Sequence, residues 1–163
     1  MKYSLIETIN FADFINKKES LVDLNQLIVK EGCIDNMPVF TNCEVVLDMD
    51  LVEKITAKTE NRILNKSMDS SLIIEDKQNK KVLLVEFRFN YVNMKNLDKN
   101  DLYGKVNGSS SVLNNISNIH NQFFFIFNSN LKYQAIRRFR NMVPSMPSHY
   151  VATDIEGLKN VFF

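Results

Sequence analysis

The chain has 163 residues, 45% of them hydrophobic and 24% charged, with a formal net charge of +1. That length suits one domain able to bury roughly 70% of its unfolded surface, so neither disulfides nor a structural metal are needed for folding. The near-neutral charge excludes a chain-wide basic surface for wrapping duplex DNA, and no apolar run reaches the roughly 18 residues that span a bilayer.

In chain order, Met1-Lys2-Tyr3-Ser4 leads into a polar-interrupted segment, so no signal peptide is expected and the location is read as cytoplasmic. Ile6, Ile9, Phe11 and Phe14 form a loose helical stripe over Ser4 to Asn16. Leu21, Leu24, Leu27 and Ile28 predict a second helix from Ser20 to Lys30, with Ser20 and Asp23 as a capping box and Gly32 as its stop. Cys33 and Cys43 stand nine residues apart, which is no zinc spacing, and are expected to be reduced thiols. Asn36 to Leu47 reads as a strand or an irregular crossing segment. Residues 1–48 are therefore expected to pack on a core spanning 50–153 within a single 1–163 domain.

Asp50 to Leu64 reads as a helix capped by Asp50, with Leu51, Val52, Ile55, Thr59 and Ile63 as its stripe. The strongest pattern follows. Ser70 to Ile74 and Val82 to Phe89 are strand-like runs separated by the polar stretch Glu75 to Lys81, as in a hairpin. Gly108 to Ser111 reads as a loop before a helix carrying Val112, Leu113, Ile116 and Ile119. Gln122 to Phe127 reads as a strand buried on both faces. Leu131 to Met142 is a basic helix, His149 to Thr153 a last strand, and Leu158 to Phe163 an apolar docked tail. The fold class is α/β in the α+β sense, a mixed central sheet with a hairpin, flanked by helices.

With the hairpin turn between Lys77 and Gln78, Ile73 faces Val82, Leu72 faces Leu83 and Asp69 faces Glu86. Strand alternation puts Glu86 and Arg88 on one face. Two carboxylates about 5 Å apart repel unless a cation separates them. The same residues also fit a turn cap and a surface ion pair.

Asp69, a hairpin and then Glu86-Phe87-Arg88 resemble the core of the PD-(D/E)XK nuclease superfamily, the restriction-endonuclease-like fold. The resemblance spans roughly Asp50 to Phe127 and implies that Asp69 and Glu86 bind Mg²⁺ at a catalytic centre. A helix glutamate is implied as a third acid, with Glu60 as the candidate and Glu53 second. Met68 stands in place of the family's proline, and Arg88 in place of its lysine. Arginine does not deprotonate, so Lys105 is the candidate for a displaced lysine. Only Asn65 to Met68 is available for the strand that the family usually has between the glutamate helix and the aspartate. The implied activity is metal-dependent cleavage of DNA or RNA. The alternative on the same scaffold is a non-catalytic immunity or antitoxin protein that neutralises a cognate toxin, with no membrane partner in either case. Arg137, Arg138 and Arg140 are candidates for a nucleic-acid contact, with Tyr133 or Phe139 stacking on a base; they fit a solvated face with Phe139 inward as well. Gly104 to Ser111 is considered for phosphate contact or a plain loop. His120 and His149 fit no metal spacing and no triad.

Overall fold

Alternating apolar side chains in the middle of the chain create two cores, one on each side of a sheet. The computed structural model describes residues 1–33, 39–77, 79–113 and 118–163. In chain order the elements are β1 (Lys2–Tyr3), α1 (Leu5–Phe14), β2 (Leu21–Asp23), α2 (Leu24–Lys30), β3 (Val45–Asp48) and α3 (Met49–Glu60). They continue with β4 (Ser70–Asp76), β5 (Asn79–Arg88), α4 (Lys99–Leu113), β6 (Phe123–Phe127), α5 (Lys132–Asn141), β7 (Tyr150–Thr153) and α6 (Ile155–Phe162).

The strands make one seven-stranded mixed sheet in the order β2-β3-β4-β5-β6-β7, with β1 also on β4. β1 and β3 share one edge of β4: Tyr3 pairs with Ile74 at one end, and Leu47 with Ser71 at the other. The Tyr3 hydroxyl joins them, donating to Val45 O at 2.8 Å and accepting from Val45 N at 2.9 Å. The β4–β5 hairpin is antiparallel, with Ile73 opposite Val82 and Leu72 opposite Leu83 as the alternation predicts. From β5 onward pairing turns parallel, to β6 and then β7. Parallel neighbours need crossovers, and α4 and α5 supply them.

Period-two alternation divides the hairpin between the cores. Val82 and Leu84 join Val52 of α3, Leu102 and Val106 of α4, and Ala135 and Phe139 of α5. Leu83, Val85 and Phe87 join Leu24 and Ile28 of α2 and Leu158 and Phe162 of α6. β6 feeds both, Phe125 and Phe127 to the first core and Phe124 and Ile126 to the second, so it is buried on both faces as expected.

Four local expectations are corrected. Leu21 to Asp23 is an edge strand and not the first turn of a helix. Asp23 alone caps α2, its carboxylate accepting from Gln26 N at 2.9 Å. α3 is capped by Asp48, which accepts from Leu51 N at 3.1 Å, so Asp50 falls inside its first turn. α3 stops at Asn61, left-handed at φ 52°, and Ile63 beyond it is 88% exposed. Gly108 to Ser111 lies within α4 and not ahead of a helix. There the small residues allow close approach. A Cβ on Gly108 would sit 1.9 Å from Lys66 O, and Ser109 Oγ accepts from Met68 N at 2.8 Å. Ile116, expected on that helix, and Gln78, expected in the turn, lie outside the described residues. No disulfide joins Cys33 and Cys43. Among the described residues, no helix is long and apolar enough to cross a membrane.

Candidate functional site

Three elements meet where β5 changes from an antiparallel neighbour to a parallel one. Asp69 precedes β4, and its carbonyl accepts from Met49 N at the start of α3 at 3.1 Å. Its Oδ2 accepts from Phe87 N at 2.6 Å, which locks the carboxylate against β5. Glu86 and Arg88 lie on the same face of β5 as Leu84, toward α4. Asp101 and Lys105, one helical turn apart on α4, reach down to them.

The contacts converge on one oxygen. Glu86 Oε1 is 2.7 Å from Lys105 Nζ and 2.8 Å from Arg88 Nε. Lys105 Nζ also donates to Asp69 Oδ1 at 3.3 Å. Arg88 Nη2 donates to Asp101 Oδ2 at 2.6 Å, and its Nη1 to the Tyr91 hydroxyl at 3.4 Å. Lys66 closes the chain on Asp101 Oδ1 at 2.7 Å. Glu86 is 1% exposed and Asp69 5%. Glu86 Oε2 and Arg88 Nε are buried with no hydrogen-bond partner, so the Arg88–Glu86 contact is ionic only. A buried carboxylate oxygen without a donor is costly, which makes Oε2 the chemically unusual atom of the cluster.

Burial sets the protonation behaviour. Removal from water, and then Asp69 beside it, push the Glu86 carboxyl up to about 8 against the pull of Arg88 and Lys105. Burial also raises Asp69, opposed first by Lys105 and then by the Phe87 amide. For Lys105, burial acts downward, but Glu86 and Asp69 outweigh it and hold the ammonium above the ordinary lysine range. For Asp101, burial acts upward and is overcome by Lys66 and Arg88, so it stays below the ordinary range. Lys105 is therefore a fixed positive charge in this arrangement and does not take up a proton. A charge held in this way can orient an anion or a water.

The structure thus brings Asp69, Glu86, Arg88 and Lys105 together. It leaves Glu60 elsewhere. That carboxylate is mostly exposed and pairs with Arg62 at 2.5 Å, about 16 Å along α3 from Met49 by helical rise. Glu53 is buried but serves the same distant end. Its oxygens take Arg62 at 2.6 and 3.0 Å and Asn65 N at 2.6 Å. Of the basic helix, Arg137 and Arg140 are exposed and Phe139 is buried at 5%. Arg138 is half-buried and donates to Leu97 O at 3.4 Å. Gly104 to Ser111 packs against residues 65–67 and is neither loop nor phosphate cradle. His120 Nδ1 accepts from Gln122 N at 3.2 Å, away from the cluster.

Sequence reasoning missed Glu31, Asp50 and Asp101. Burial raises Glu31, at the end of α2, and the charge of Asp69 and then that of Asp50 add to this. Asp50 Oδ1 accepts from Ser67 Oγ at 2.5 Å. Asp101 carries a legible signal, an acid four residues before Lys105, once α4 is started at Lys99. Among the described residues, no group of three or more His, Cys, Asp or Glu is arranged to hold a metal. Comparison with protein-family models, curated proteins and solved structures gives no match.

Proposed function

We propose that this chain is a PD-(D/E)XK-like, Mg²⁺-dependent nuclease that cleaves nucleic-acid phosphodiesters, with Asp69 and Glu86 as the metal-holding acids. The observation that carries the reading is the convergence of these two carboxylates on Lys105, with Glu86 Oε2 buried and lacking a donor. The donor set is all oxygen and supplies two carboxylates. That matches what Mg²⁺ usually takes from a protein, the rest of its shell coming from water and substrate phosphate. When bound, the ion supplies polarisation of the phosphate and a water of lowered pKa. Lys105 orients a water or phosphate oxygen. Arg88, anchored to Asp101 and Tyr91, holds positive charge beside the phosphate.

Chain topology supports the same reading. β3 lies between α2 and β4, so α3 is an insertion between the two strands. The glutamate next to the cluster is then Glu31 at the end of α2 and not Glu60 on α3. The crossover from β5 through α4 to parallel β6 matches the order after the acidic-x-basic triplet.

The test is incubation of labelled single-stranded DNA, duplex DNA and RNA with Mg²⁺ or Mn²⁺. Cutting that vanishes with chelator and in Glu86→Gln supports the proposal. No cutting of any substrate, or cutting unaffected by both changes, overturns it.

A second reading, the non-catalytic module that neutralises a toxin, draws on one observation. α1 presents Ile6 and Phe14 to solvent, each 69% exposed, an apolar surface of the kind that partners cover. It predicts a tight complex with a toxin protein that chelator does not disturb.

A further inference from the structure

α5 meets the segment 93–98 along a groove outside the carboxylate cluster. Tyr133, Arg137 and Asn141 recur every fourth residue along the helix, and Met94 and Lys95 line the groove with them. This part of the groove encloses about 520 Å³. Past Arg138 it continues into a second hollow of about 480 Å³ bounded by Leu97 and Val143. Lys95, Arg138 and Asn141 line both hollows. Each hollow has the size of a small-ligand site, and the shared residues make them neighbours along α5.

Its chemistry is uneven in an informative way. Among the described residues, Lys95, Arg137 and Arg138 make no ion pair. Arg138 Nε is buried with no hydrogen-bond partner, and the rest of its guanidinium has only the long bond from Nη2 to Leu97 O at 3.4 Å. Lys99 is committed to Pro144 O and to the Tyr103 ring. The acid on this lining, Asp98, accepts from Asn100 N at 2.9 Å. Beside these cations the Tyr133 ring is 78% exposed. Arg140 faces a different hollow, with Pro147 and Tyr150. The three arginines of α5 therefore do not form one face.

Unpaired cations beside a bare aromatic ring are the elements that bind single strands, where bases are free to stack. A duplex hides its base faces and demands a longer basic track than this near-neutral chain offers. We propose that the α5 groove binds single-stranded nucleic acid, one base stacking on Tyr133 and neighbouring phosphates pairing with Lys95, Arg137 and Arg138. The wall carrying Lys95 belongs to the segment that runs from Arg88 to α4. Naming that strand as the substrate rests on the nuclease reading; the binding itself does not.

Fluorescence anisotropy in chelator, with labelled oligo-dT, oligo-rU and a duplex of equal length, tests the groove. Binding of either single strand in preference to the duplex is expected, and the tighter of the two identifies the sugar. Tyr133→Ala should weaken binding about tenfold, as loss of one stacked base does. Arg137→Ala should weaken it and reduce the salt slope by about one ion. Arg140→Ala should change nothing. All three are exposed positions, and circular dichroism confirms folding. The groove assignment is overturned if no oligonucleotide binds, or if the duplex binds as tightly. It is overturned equally if a polyglutamate peptide competes as well as unlabelled oligo-dT, or if Arg140→Ala costs as much as Arg137→Ala. The two proposals separate cleanly. Binding without any cutting sinks the nuclease and leaves the groove, whereas cutting that survives while Tyr133→Ala and Arg137→Ala leave anisotropy binding unaltered sinks the groove alone.

Discussion

Two buried glutamates face arginine, Glu53 on α3 and Glu86 on β5, and the two are built differently. Glu53 takes both its oxygens to Arg62 in a fork, and a backbone amide from Asn65 completes it. Glu86 loads Lys105 and Arg88 onto a single oxygen and leaves the other bare. A bidentate, fully donated carboxylate stabilises a chain turn. A carboxylate with a spare buried oxygen, crowded by a second acid and two cations, is an expensive arrangement for stability alone. Perturbed groups of this kind cluster at functional sites. The contrast marks Glu53 as a structural group and Glu86 as the group on which the proposed function rests.

Four experiments break or sharpen that contrast. Glu86→Gln should cost more than about 100-fold in metal-dependent cleavage, beyond what loss of an outer partner of a metal ligand usually costs. Its melting temperature in chelator near pH 7 should stay close to that of the parent, because the metal-free native state already holds the Glu86 carboxyl neutral; a collapse in stability would make Glu86 another Glu53. Glu53→Ala should behave the opposite way. It removes the Arg62 fork and the Asn65 bond and should lower stability by about 2–3 kcal/mol in denaturant titration.

Stability of the metal-free protein should also depend on pH through Glu86. Its carboxyl titrates near 4.5 when unfolded and near 8 when folded. Between those values the native state holds the extra proton, so stability falls as pH rises. Asp69 acts in the same sense, while the Lys105 shift matters only in the alkaline range. Melting in chelator should therefore drop from mildly acid pH toward pH 8, and Glu86→Gln should flatten most of that slope. A wild-type profile that rises over this window contradicts the account. The smallest effect belongs to Glu60→Gln. The side chain is 55% exposed and pairs with Arg62 alone, so stability should move by no more than about 1 kcal/mol, with cleavage unchanged. A large loss of cleavage would return Glu60 to the site.

Much of the hairpin was legible because strand alternation has a period of two and both its faces are buried. The register follows from Leu72, Ile73, Val82 and Leu83 without reference to the rest of the chain. Asp69 was readable beside Glu86 for the same reason. The N-terminal third was less legible. Leu21 to Asp23 has the spacing of a helix start, but pairing with Val45 to Leu47 outweighs it and draws three residues into the sheet edge. α4 was obscured by its own composition. Gly104, Gly108 and Ser109 look like a loop because small residues favour loops; here they are small because residues 65–68 press against the helix.

The linear sequence by itself determined the mixed α/β class, the hairpin, the doubly buried Phe123–Phe127 strand and the pairing of Asp69 with Glu86, all consequences of short-range periodicity. Tertiary structure alone decided which distant charges join them, Lys105 and Asp101 from α4 and Glu31 at the end of α2, and that Glu60 pairs with Arg62 away from the cluster. Those partners lie up to 55 residues from Glu86. Their meeting depends on how helices cross the sheet, a matter of packing volume and close approach that no local repeat encodes.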